Sequence, residues 1–164
     1  MKILMTGDPE YGLCHAFTKG TWSAEEISVL SEKDDVFDQR SYQNKILQEC
    51  VNCDVFINSA KLSNFMQAQI LHDVWNVWRQ FKKKGRIISI GSDVIFKNHD
   101  SLYALQKRAL FECHKSLLYK DLDIKLTLVN PGKLGPEGTP YAEIVNLVEY
   151  IIHSNVEITE ISCR

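Results

Sequence analysis

Short apolar runs that end in glycine or a polar residue alternate with segments of helical period along the whole chain. Apolar runs fall at residues 3–6, 27–31, 54–58, 86–92 and 124–129, and Val36-Phe37 suits a very short further strand. Helical spacing occupies 12–19, 41–50, about 64–83, 101–119 and 141–153, and Val156, Ile158 and Ile161 alternate with polar residues as an edge strand does. Strands that alternate with helices predict an α/β fold, a doubly wound parallel sheet of Rossmann type with helices on both faces. Right-handed crossovers then fix the winding, and ligands of such sheets bind at the carboxyl ends of the strands, near the switch point. The 164 residues carry no linker, repeat or low-complexity tract, so one domain over 1–164 is expected.

Charge excludes little but directs the search. Lys+Arg number 19 against 21 Asp+Glu, a formal net charge of -2, which offers no global attraction to nucleic acid or an anionic membrane. The basic run Lys82-Lys83-Lys84, followed by Gly85-Arg86, reads as a solvated helix end, stopped by Gly85. No apolar stretch reaches the roughly 20 residues that span a bilayer, and the first residues lack the length and cleavage region of a signal peptide. The five cysteines, at 14, 50, 53, 113 and 163, are odd in number. Reduced thiols and a cytoplasmic location are therefore expected. Cys50 and Cys53 have C-x-x-C spacing, but there is no second pair for zinc and the pair ends a helix instead of starting one. A structural role is expected for both.

The chemistry-bearing residues gather at strand ends. The first strand runs into Thr6-Gly7-Asp8-Pro9-Glu10-Tyr11-Gly12-Leu13-Cys14. A strand, glycine turn and helix offer free backbone N–H groups to a pyrophosphate. Gly7 suits the tight turn and Gly12 the close approach of a diphosphate. In Tyr103-Ala104-Leu105-Gln106-Lys107 the first and last residues share one helix face. A tyrosine starts near pKa 10, and lowering it by about three units takes roughly 4 kcal/mol of differential interaction, which a lysine and a second cation can supply. Such a tyrosine exchanges protons near neutral pH. An ordinary surface Tyr/Lys pair is the plain alternative. Ser92 closes the strand before that helix, Asn58-Ser59-Ala60 follows the middle strand, and Pro131-Gly132 leaves the next one. All lie on one edge of the expected sheet.

Together these residues resemble the short-chain dehydrogenase/reductase family, along essentially the whole chain. Thr6, Gly7 and Gly12 match its TGxxxGxG turn with one residue inserted, and Cys14 stands for the last glycine. Ile57-Asn58-Ser59-Ala60 is similar to its NNAG segment without the glycine, Tyr103 and Lys107 form its YxxxK pair, and Pro131-Gly132 its PG pair. The resemblance implies a catalytic set of Ser92, Tyr103, Lys107 and Asn64. Asn64 would hold a water linking the lysine to solvent, or equally cap the long helix. It implies an NAD or NADP site formed by Thr6, Gly7, Gly12, Leu13, Ser31, Glu32, Asp35, Asn58, Ser59, Ala60, Tyr103, Lys107, Pro131 and Gly132. Glu32 favours NAD, whereas Ser31 and Lys33 suit the phosphate of NADP, so the preference stays open. Asp35-Val36 would lie under the adenine or simply form a turn.

The implied activity is hydride transfer between a nicotinamide and a small carbonyl or alcohol substrate. No metal and no nucleic acid are expected. Relatives pair through the long helix and the Tyr/Lys helix, so a homodimer or homotetramer is expected, with Trp75, Trp78 and Phe81 as interface anchors or as core. The chain looks like a minimal member. The segment before Asn64 and the 92–103 loop are short, and residues 133–140 form a small loop where relatives carry a lid over the substrate. The competing reading is a non-catalytic nucleotide-binding or scaffold protein on the same fold.

Overall fold

The computed structural model describes residues 1–20, 26–31, 39–60, 64–97, 100–135 and 137–163. Among these residues, six strands form one parallel sheet: β1 (Lys2–Thr6), β2 (Glu26–Leu30), β3 (Val55–Asn58), β4 (Gly85–Ile90), β5 (Ile124–Pro131) and β6 (Glu160–Cys163), in the order β2-β1-β3-β4-β5-β6. Five α-helices connect them: α1 (Gly12–Lys19), α2 (Gln39–Cys50), α3 (Met66–Gln80), α4 (Leu102–Leu117) and α5 (Tyr141–His153). A single 3-10 turn, Asp93–Phe96, precedes α4. From β1 the chain steps outward to β2, then returns to place β3 on the other side of β1. The switch point therefore lies between β1 and β3.

Strand alternation divides the apolar residues between two cores. Leu4, Phe56, Ile87, Leu126 and Leu128 face α2, α3 and α4, where Tyr42, Ile70, Val74 and Trp78 cover them. Ile3, Met5, Ile57, Ile88 and Val129 face the other way, onto Phe17 of α1 and Ile144, Val148 and Ile151 of α5. Each central strand is buried on both faces, which is why β3 and β4 read as continuous apolar runs. Trp75 and Trp78 belong to the core, whereas Phe81 is exposed. Trp78 also donates its indole N–H to the Cys50 carbonyl at 2.8 Å.

Several boundaries differ from the sequence reading, each for a local reason. The long helix stops at Gln80, well before Gly85. Lys82 takes a left-handed backbone (φ 50°), and Lys83 N–H returns to the Trp78 carbonyl at 2.8 Å. Gly85 serves packing instead: a Cβ there would lie 2.6 Å from the Asp54 carbonyl oxygen and 2.7 Å from the Trp78 ring. The basic run is spent locally, with Lys83 over the Trp78 ring and Lys84 paired to Asp123. Gly20 follows α1 in an extended conformation, so that helix ends without a left-handed cap. The last strand is confined to Glu160–Cys163 on the sheet edge, beside β5. The short strand expected at Val36-Phe37 lies outside the described residues.

Cys50 ends α2 and Cys53 precedes β3, both buried, with thiols pushed up to about 11 and about 12, chiefly by burial. At these values they are neutral side chains of the core. Among the described residues, no helix is long and apolar enough to cross a membrane.

Candidate active site

A cavity of about 660 Å³ opens at the carboxyl ends of the strands. Its walls are the turn after β1 (Gly7, Gly12, Cys14), the exit of β3 (Ser59, Ala60), the exit of β4 (Gly91, Ser92, Asp93), one face of α4 (Tyr103, Lys107) and the exit of β5 (Pro131, Gly132). Residues distant in sequence meet here because every parallel strand delivers its carboxyl end to the same edge.

The glycine turn is built as a cradle. Gly7 has φ 149° and Gly12 has φ 62°, both backbone conformations that favour glycine. Among the described residues outside its own turn, a Cβ built on Gly12 would meet the Tyr141 hydroxyl at 3.9 Å, an ordinary contact, so the space above it is roomy. The first N–H groups of α1 have no partner within the helix, as in any helix. Cys14 fills the room a third glycine would leave, its Cβ 3.1 Å from a Cβ built on Gly7. Burial, aided by Asp8, pushes its thiol up to about 12, so it presents a neutral side chain. Cys14 thus adds no negative charge, and the Asp8 carboxylate is the acidic group of the turn that lines the cavity; the glycine backbone at the start of α1 suits a diphosphate.

Thr6 and Asn58 support this wall without lining the cavity. Thr6 Oγ1 accepts from the Ser59 and Ala60 N–H groups at 3.1 and 3.3 Å, and the Ser59 hydroxyl donates back to the Thr6 carbonyl. These bonds tie the exit of β3 to the end of β1. Leu13 lines the cavity, whereas Ser31 is buried after β2 and does not. Glu32, Lys33 and Asp35 lie outside the described residues.

Lys107 is buried, 7% exposed, on α4. Its ammonium donates to Gln67 Oε1 and to the Ile90 carbonyl, both at 2.8 Å, and stands 5.7 Å from the centre of the Tyr103 ring. Tyr103 is 38% exposed at the cavity edge. Ser92 caps the 3-10 turn, its Oγ accepting from Val94 N–H at 3.3 Å. A hydroxyl that accepts still has a proton to donate. Asp93 is ion-paired with Lys97 at 2.6 Å on the rim.

Asn64 stands apart from the other expected catalytic residues. It is exposed, in left-handed backbone (φ 53°), and does not line the cavity. The helix cap position falls to Phe65, so Asn64 is not the N-cap either. The side chain that reaches the lysine is Gln67. Besides accepting from Lys107, its amide donates to the Asn58 carbonyl at 2.8 Å and the Ile90 carbonyl at 3.0 Å. Asn58 Nδ2 donates to the Gln67 carbonyl at 2.9 Å. The long polar side chain early in an apolar helix was the available signal. Tyr141, beside the glycine turn, was also missed, since it opens a helix beyond a loop and carries no spacing of its own.

Carbonyl-end cavity, glycine cradle and six parallel strands define a Rossmann-type α/β protein. No protein-family model matches the chain, and no curated protein does. Solved structures do. A short-chain dehydrogenase from Leptospira borgpetersenii with bound NAD+ superposes with a TM-score of 0.78 at 16% identity, over 98% of this chain and 90% of that one. The complex of 4-hydroxyisoleucine dehydrogenase with NADH gives 0.73 at 17%, over 99% and 97%. An alcohol dehydrogenase from the archaeon Thermococcus sibiricus, in complex with 5-hydroxy-NADP, gives 0.67 at 14%, over 99% and 96%. The chain thus has the fold of short-chain dehydrogenase/reductase structures.

Proposed function

We propose that the chain is an NAD(P)-dependent oxidoreductase of the short-chain dehydrogenase/reductase family, transferring hydride between a nicotinamide and the carbonyl or alcohol carbon of a small molecule. The observation that carries this reading is the convergence of Gly7, Gly12, Ser92, Tyr103, Lys107 and Gly132 on one cavity at the switch-point edge. In this reading Gly7, Gly12 and Leu13 hold the diphosphate against α1, and Ser59, Ala60, Pro131 and Gly132 flank the rest of the dinucleotide. When bound, the nicotinamide supplies the hydride donor or acceptor.

Tyr103 gives or takes the proton at its hydroxyl. Lys107, its ammonium 5.7 Å from the centre of the ring, binds the nicotinamide ribose. Ser92 donates its remaining O–H to the substrate oxygen, and the short 133–140 loop leaves that side of the site open. Asn64 takes no part. A cytoplasmic location and self-association belong to the same reading, and Leu102 and Leu105 leave apolar surface exposed on α4.

A second reading, a nucleotide-binding or scaffold protein without catalysis, is favoured by Cys14 at the third glycine position. Titration with NADH and NADPH, then a carbonyl screen with the better cofactor, tests both. The enzyme reading expects micromolar binding of one of them and turnover that Tyr103→Phe abolishes while binding persists. Binding without turnover favours the scaffold, and absence of binding up to millimolar refutes the cofactor site.

A further inference from the structure

Tyr141 opens α5 and lines the cavity beside the glycine turn. Its hydroxyl lies 3.9 Å from the Cβ position of Gly12 and 3.8 Å from that of Gly135. Both glycines have positive φ, 62° and 107°, so two bends of the chain, one on each wall, leave room around one phenol oxygen. A Cβ at either position would stand in ordinary contact with it. The hydroxyl makes no hydrogen bond among the described residues. The apolar wall is closed by packing of α1 against α5, and this polar atom lies beside Gly12, the first residue of α1, whose first-turn N–H groups have no partner within the helix.

A hydroxyl that opens on the cavity and first-turn N–H groups beside it can both donate to one acceptor bound there. A neutral ligand would satisfy the hydrogen bonds but not the positive end of α1. We propose that Tyr141 is a cofactor-binding residue whose hydroxyl donates to the diphosphate of the dinucleotide from the α5 side of the glycine turn. The proposal rests on the cofactor reading above. It makes the diphosphate the piece that joins α1 to the start of α5, with the phenol ring covering a site that the short 133–140 loop leaves open.

The test is calorimetric titration of the wild-type protein and of Tyr141→Phe with NADH and with ADP-ribose, which keeps both phosphates and lacks the nicotinamide. Tyr150→Phe, exposed farther along α5, is the control. The hydroxyl bonds nothing in the fold, so Tyr141→Phe keeps the wild-type melting temperature. A donor to a charged oxygen is worth about tenfold in Kd or more. Tyr141→Phe should weaken both ligands by this same factor, with Tyr150→Phe unchanged, and Tyr141→Ala should weaken them further by uncovering the site. Equal affinity of Tyr141→Phe and wild type overturns the proposal. So does a loss confined to NADH, which would put the contact at the nicotinamide. Binding of neither ligand by the wild type overturns the cofactor reading and this proposal with it.

Discussion

Replacing Gln67 by leucine removes three hydrogen bonds while nearly conserving volume. The amide accepts from the Lys107 ammonium at 2.8 Å and donates to the Asn58 and Ile90 carbonyls at 2.8 and 3.0 Å. Ile90 keeps a bond from Lys107, so its loss is partial. A neutral hydrogen bond is worth about 1 kcal/mol net, and one to a charged group about 1.5–3 kcal/mol. The bonds share one network and do not simply add, so a cost of about 3–5 kcal/mol is expected. Against a typical stability of about 5–15 kcal/mol, this leaves a folded but weakened protein. Urea unfolding followed by tryptophan fluorescence reads it directly, since Trp75 and Trp78 are buried on the same helix. The midpoint should fall with an unchanged slope. A loss below about 1 kcal/mol would mean that the ammonium and both carbonyls find other partners, and the account of how Lys107 is held would be wrong.

Two further outcomes are expected. His114 is buried on α4, bonded through Nε2 to the Thr159 carbonyl at 3.0 Å, and burial lowers its pKa to about 4. The unfolded chain takes up this proton near pH 6.5 and the folded one only near 4, so stability falls with pH across that window, by about 3 kcal/mol in full, and is flat above it. Urea midpoints at pH 7.5, 5.5 and 4.5 test this, with His114→Gln losing much of the slope that the wild type shows. The Cys14, Cys50 and Cys53 thiols, raised to about 12, 11 and 12, should react slowly with a disulfide reagent in the native protein and rapidly in urea. Prompt native labelling of Cys50 or Cys53 would refute their role as inert core.

The winding and the site's edge were legible because they depend on local signals. Helix α5 begins and ends where its apolar spacing does, at Tyr141–His153, and α1 likewise at Gly12–Lys19. Strand ends carry the glycine, serine and proline-glycine signals, and a parallel sheet collects them without further information. What failed to show depends on side-chain reach. The family resemblance points to Asn64, yet two left-handed residues, Asn64 and Phe65, delay the helix and leave Gln67 on the inward turn. Its longer side chain spans to Lys107 directly. No spacing rule distinguishes an asparagine before a helix from a glutamine inside it when both are polar. The end of α3 failed for a similar reason: Lys82, not glycine, adopts the left-handed turn.

The same geometry changes what the retained residues argue. A Ser, Tyr and Lys kept together suggest catalysis, because a scaffold has no evident use for them. Here two of them have such a use. Ser92 caps the turn before α4, and Lys107 joins α4 to Gln67 of α3 and to the end of β4. A chain that had lost activity would still gain stability from both, so their presence alone does not separate an enzyme from a scaffold. Tyr103 differs: it is 38% exposed, on the cavity edge, with its ring beside the buried ammonium. A phenol this exposed contributes little apolar packing to the fold. The weight of the catalytic reading therefore falls on Tyr103, and on whether its hydroxyl matters to turnover while leaving stability untouched.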